Sequence, residues 1–102
     1  MGFEQWGLAF DGAFTSIQSL RETAGVYVVW CQSSGKWNVL DVGQADNVKD
    51  RVEHHDRSDC WRRHCSGTIK YSAHYMPRSS EQDRLRVESQ IRTQSSPPCG
   101  ER

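Results

Sequence analysis

Residues 24–55 read AGVYVVWCQSSGKWNVLDVGQADNVKDRVEHH, and their reading decides the fold. Val26 to Cys31 are β-branched or aromatic almost throughout, which favours a strand covered on both faces. Residues 37–42 repeat that character, and the polar run Gln32 to Lys36 between them has the length of a hairpin turn. With the turn centred on Ser34, antiparallel pairing sets Cys31 opposite Trp37, Val29 opposite Val39 and Tyr27 opposite Asp41, a phenol beside a carboxylate. Gly43 then bends the chain, and Asp46 is placed to cap a helix beginning at Asn47. On that helix Val48 and Val52 make the buried stripe. Arg51 and His55 lie one turn apart on its flank, which points to an anion held between them.

Downstream, Thr68 to Tyr75 alternates cleanly, with Ile69, Tyr71, Ala73 and Tyr75 on one face and Thr68, Lys70, Ser72 and His74 on the other, as a half-buried third strand would. Lys70 and His74 are expected to look outward. Ser79-x-x-Gln82 or Ser80-x-x-Asp83 resembles a capping box opening a helix to about Thr93. Val87 and Ile91 form its apolar stripe, and Glu88 falls between Leu85 and Ile91. A carboxylate facing a core needs a partner or a metal. The bland alternative is a salt bridge to Arg84 or Arg92, each one turn away.

Upstream, Trp6, Leu8 and Phe10 alternate as one face of a short strand, and Thr15 to Arg21 suits a turn or two of helix capped by Thr15 or Ser16. Residues 1–23 therefore read as a brace on the sheet. The whole chain, 102 residues, is long enough for one modest core. No apolar run approaches the roughly 20 residues that span a bilayer, and residues 1–20 lack a secretory pattern, so a soluble, cytoplasmic protein is expected. Cys31 sits inside a predicted strand and the other cysteines show no regular framework, so all four are read as reduced thiols. Net charge is zero, yet residues 1–59 carry five Lys/Arg against nine Asp/Glu and residues 60–102 eight against four, so a nucleic-acid surface should draw on the C-terminal half.

The run from His54 to Cys65 is rich in metal-capable side chains, but Cys60, His64 and Cys65 do not follow a zinc-knuckle spacing. A zinc-stabilised interaction domain on those three is the weakest of the functional readings. Arg62 and Arg63 are adjacent and exposed on any helix, with phosphate contact and a solvated pair both open.

Gly25-Val26-Tyr27, then Asp41-Val42-Gly43, Arg51 and His55, and a helix bearing Glu88 form an ordered set that resembles the GIY-YIG nuclease domain, over about residues 24–100. The resemblance implies a small α+β domain, an α/β sandwich-like arrangement with a central three-stranded antiparallel sheet flanked by helices, to which an N-terminal strand can be added. It implies a one-metal endonuclease acting on DNA, with RNA as the alternative. Glu88 would hold Mg²⁺ or Mn²⁺ through oxygen coordination. Arg51 would bind the non-bridging oxygens of the phosphate. Tyr27 would orient or deprotonate the attacking water, its phenol lowered by the nearby cations, with His55 as alternative acceptor or phosphate ligand. Gly43, Lys49, Arg62, Arg63 and Lys70 are the expected nucleic-acid contacts. The family's second motif usually carries tyrosine where this chain has Asp41, and a Pro-x-x-Asn segment where Pro97-Pro98-Cys99 precedes Gly100. Asp41 is accordingly open to three roles: hydrogen-bond acceptor for Tyr27, metal ligand, or an obstacle to phosphate. The last would leave a catalytically impaired nucleic-acid or protein binding module.

Overall fold

The computed structural model describes residues 2–100. Five strands, β1 (Gly2–Gln5), β2 (Leu8–Phe14), β3 (Gly25–Ser33), β4 (Lys36–Ala45) and β5 (Thr68–Tyr75), form one antiparallel sheet in the order β1-β2-β5-β3-β4. The helices are α1 (Val48–Glu53), α2 (Ser58–Arg63) and α3 (Glu81–Ser95), with a single 3₁₀ turn at Ile17–Ser19. The α+β expectation agrees with this architecture, but the sheet has five strands and not three. Residues 2–14 do more than brace it. They form a hairpin, turned through Trp6 and Gly7 in left-handed conformations (φ 55° and 75°), that pairs along β5.

Alternation along β3 divides the core. Tyr27, Val29 and Cys31 face α1 and α2, packing with Leu20, Leu40, Val48, Val52, Trp61 and Ala73. Val26, Val28 and Trp30 face the other way, with Phe10, Val42 and Ile91 of α3. Fully burying one such Val or Ile stabilises the fold by about 1.5–3 kcal/mol, and residues 26–31 are all buried. Ser72 of β5 is buried on the second face, where it accepts from Trp30 Nε1 at 2.8 Å, and His74 is half-buried there, its Nδ1 meeting the Ala9 carbonyl at 2.8 Å.

Capping follows the sequence closely, one residue apart at α1. Asn47, not Asp46, caps α1 by accepting from the Asp50 N–H (3.0 Å), Ser80 caps α3 by accepting from Asp83 (3.1 Å), and Ser16 caps the 3₁₀ turn. Among the described residues, no helix is long and apolar enough to cross a membrane.

The cysteines are not reduced. Cys31 is bonded to Cys65 and Cys60 to Cys99, across sequence separations of 34 and 39. The first ties β3 to the segment after α2, and the second ties α2 to the C-terminal tail. Replacing Cys31 and Cys65 together by alanine is expected to lower the unfolding free energy by about 2–4 kcal/mol. A guanidinium melt of the double variant that overlays the parent's would show that this crosslink contributes nothing.

Candidate active site

The β3–β4 hairpin positions the site, in a register two residues away from the sequence expectation. Its loop is only Ser34-Gly35, both left-handed (φ 53° and 78°), so the centre of the turn falls between them. A bulge between the Val29–Asp41 and Trp30–Val39 pairs, at Leu40, shifts the register once more. Tyr27 consequently stands opposite Gly43, and Asp41 opposite Val29. The glycine is needed there: a Cβ at Gly43 would overlap the Tyr27 hydroxyl.

The phenol meets His55 Nε2 at 2.6 Å. Because α1 ends at Glu53, His55 is not on the helix beside Arg51 but in the turn before α2. Its side chain is fully enclosed, and its Nδ1 accepts the Arg57 N–H at 3.0 Å. That bond leaves the proton of the neutral ring on Nε2, which donates to Tyr27 Oη. Burial, followed by the charges of Arg51 and Arg57, pushes the His55 pKa down to about 4. The unfolded chain takes up that proton near pH 6.5 and the folded one resists it to about pH 4. Stability is therefore complete above pH 6.5 and falls between the two values, by on the order of 3 kcal/mol. His55→Gln is expected to flatten this slope in urea melts taken from pH 7 to 4; an unchanged slope would remove His55 as its cause.

Burial raises the Tyr27 pKa well above the ordinary phenol value. The negative charges of Asp41 and Glu88 add to the rise, while Arg51 and Arg57 oppose it. The protein alone therefore keeps Tyr27 protonated, contrary to the lowering expected from nearby cations. These same influences place Arg51 and Glu88 within electrostatic reach of the hydroxyl. Arg51 is half-exposed, and its Nη2 meets the solvent-facing Asp56 carboxylate at 3.5 Å. Glu88 is half-buried, and its Oε2 accepts from Arg92 Nε at 3.1 Å, the i,i+4 pair that had been the bland alternative. Its Oε1 has no hydrogen bond among the described residues.

Asp41 does not accept from Tyr27, whose hydroxyl is bonded to His55. It is completely buried, and both oxygens are occupied: Oδ2 accepts from Arg57 Nε and Trp61 Nε1 (each 2.8 Å), and Oδ1 accepts from Arg92 Nη2 (2.7 Å), the Val42 N–H (2.8 Å) and Arg57 Nη2 (3.4 Å). Burial alone would raise its pKa, but the hydrogen bonds from Arg57 and Trp61, with the Arg57 charge and the Arg92 bond, hold it below the usual carboxylate range. A carboxylate with every lone pair engaged has no capacity left for a phenol or a metal. Arg92, itself buried, also donates to the Val42 and Cys99 carbonyls. From the sequence, none of Arg57, Trp61 and Arg92 is placed beside Asp41, and Arg92 enters only as a partner for Glu88. The only signal was physical: a mid-strand aspartate flanked by Leu40 and Val42 demands cationic partners, without saying which.

The expected nucleic-acid contacts do not share one surface. Lys49 lines a polar depression of about 130 Å³ with Glu22, Asp50 and Glu53, an acidic setting for a phosphate ligand. Arg62 pairs with Asp59, and Arg63 is exposed on α2. Lys70 pairs with Trp30 in the sheet register, on the face away from Tyr27, where its ammonium lies 5.9 Å from the Trp37 ring centre. Cys65 is bound to Cys31, so the trio of Cys60, His64 and Cys65 is not a free ligand set. The chain matches no protein-family model, no curated protein and no solved structure.

Proposed function

We propose that the domain is a metal-dependent endonuclease hydrolysing phosphodiester bonds of DNA, with RNA as the alternative substrate. The observation that supports this reading is the Tyr27 hydroxyl held over Gly43 by His55 at 2.6 Å, with the charges of Arg51 and Glu88 both acting on it. A phenol acted on by the charges of a guanidinium and a carboxylate offers what in-line attack on a phosphate requires: a group to orient water, a charge clamp, and an oxygen ligand for a hard cation.

Glu88 fits Mg²⁺ or Mn²⁺. Arg92 fixes one oxygen, the other is uncommitted, and its half-buried position leaves room for the several waters that Mg²⁺ retains. When bound, such an ion polarises the phosphate and screens the leaving oxygen. His55 donates to Tyr27 Oη, which leaves the phenol's own hydrogen free to bond an entering water or phosphate oxygen. Arg51 exchanges its weak contact with Asp56 for the non-bridging oxygens, where a planar fork binds better than a point charge.

The alternative, an impaired binding module, drew its support from Asp41 as an obstacle to phosphate. Arg57 and Arg92 neutralise that carboxylate inside the core, which weakens the alternative. Two disulfides favour an oxidising compartment over the cytoplasm.

Nicking of supercoiled plasmid in magnesium, stopped by EDTA, tests the proposal. Tyr27→Phe is expected to slow it about 10²-fold. Plasmid left intact by the parent protein in both magnesium and manganese would overturn the nuclease reading. Equal rates for Tyr27→Phe and the parent would remove the phenol from the mechanism.

A further inference from the structure

Cys60 and His64 stand one turn apart at the exposed end of α2, and the tail returns Cys99 to the same place. His64 Nδ1 lies 3.6 Å from Cys60 Sγ and 3.9 Å from Cys99 Sγ, and the three donor atoms all fall within 4.8 Å of one another. In a tetrahedron with Zn–S of about 2.3 Å and Zn–N of about 2.0 Å, neighbouring sulfur and nitrogen ligands are about 3.5 Å apart. The Cys60 separation already matches this, the Cys99 separation exceeds it by about 0.4 Å, and the two sulfurs have to part, to about 3.8 Å.

The geometry points to a redox-gated zinc site: reduction of the Cys60–Cys99 disulfide creates a two-thiolate, one-imidazole site for a borderline-soft divalent cation, with solvent in the fourth position. The reductant is a dithiol. Its thiolate attacks one sulfur, its second thiol resolves the mixed disulfide, and it leaves as a disulfide after delivering two electrons and two protons to Cys60 and Cys99. On binding, both thiols release their protons to solvent as two Zn–S bonds form. His64 Nδ1 now faces the Cys60 carbonyl at 3.0 Å; to ligate, the ring shifts its proton to Nε2 and gives up that contact. The softness of two thiolates selects Zn²⁺ over the Mg²⁺ suited to Glu88.

The placement of the tail gives the exchange a structural purpose. Cys99 N–H donates to the Leu40 carbonyl at 3.0 Å, and the Cys99 carbonyl accepts from Arg92, so this residue fastens the tail to β4. Zinc would keep α2 and the tail joined where a disulfide cannot persist. The inference stands on this geometry alone and is independent of the nuclease reading.

The test uses the full chain, reduced with a metal-free phosphine, freed of reductant anaerobically and titrated with Co²⁺, then Zn²⁺. One equivalent of Co²⁺ is expected, with a thiolate-to-cobalt charge-transfer band and tetrahedral d–d bands that Zn²⁺ abolishes, and no such spectrum from the oxidised protein. Cys99→Ser and His64→Ala are each expected to weaken uptake roughly tenfold or more. A Cys31→Ser, Cys65→Ser background should retain the signal, which assigns it to the remaining pair. The proposal is overturned if the reduced parent takes up no metal, if uptake is unchanged in both ligand variants, or if circular dichroism shows the metal-bound chain unfolded.

Discussion

Asp41→Asn is expected to lower the unfolding free energy by about 3–5 kcal/mol, a large share of what holds a domain of this size together. The carboxylate is the one negative charge between two guanidiniums, Arg57 and Arg92, and it also accepts the indole N–H of Trp61. An amide keeps the shape but turns one acceptor into a donor facing a guanidinium, leaving Arg92 with Glu88 as its remaining ion-pair partner and Arg57 with none among the described residues. Urea melts of the two proteins decide it: coincident midpoints would show that β4, α2 and α3 are held together at Asp41 by apolar packing alone. The same carboxylate adds to acid sensitivity. Its folded pKa lies below that of the unfolded chain, so its contribution is present above the unfolded value near 3.9 and is lost as pH falls through the folded one.

Glu88→Gln is expected to reduce magnesium-dependent nicking by about 10³-fold, the scale of losing a Lewis acid's support of the transition state. The substitution preserves size, and Arg92 retains its bonds to Asp41 and to the Val42 and Cys99 carbonyls, so the fold should persist. The rate is read beside the circular dichroism of the same preparation. A folded Glu88→Gln protein that nicks at the parent's rate would dissociate Glu88 from any metal.

The elements that obey a local code were legible from the residues alone. Thr68 to Tyr75 alternates with period two because one face meets α1 and α2, and Ser80 with Asp83 announces α3 through a bond that spans three residues. The hairpin was legible as an element but not in its register. Gln32, Ser33 and Lys36 look like loop but belong to the strands, because Ser34-Gly35 closes the turn unaided, and nothing in Val39-Leu40-Asp41 marks a bulge. Tyr27 and Gly43 were both singled out, yet their contact depends on that register. The Asp41 cluster and the cysteine pairs were beyond reach for a common reason: their partners lie 16 to 51 residues away, at separations only the tertiary fold selects.

The tail after α3 has a consequence for how copies of this chain meet. β4 lies at one end of the sheet, and an end strand with unsatisfied carbonyls is a template for pairing with another molecule. Here Cys99 takes the Leu40 carbonyl and Arg92 takes that of Val42, while the bond to Cys60 keeps the tail in place. A few residues thus act as a selvedge along a woven edge. Shortening the chain before Pro97 would unravel it, offering β4 to its own copies, and fusions made at this end inherit the duty of leaving Cys99 where it lies.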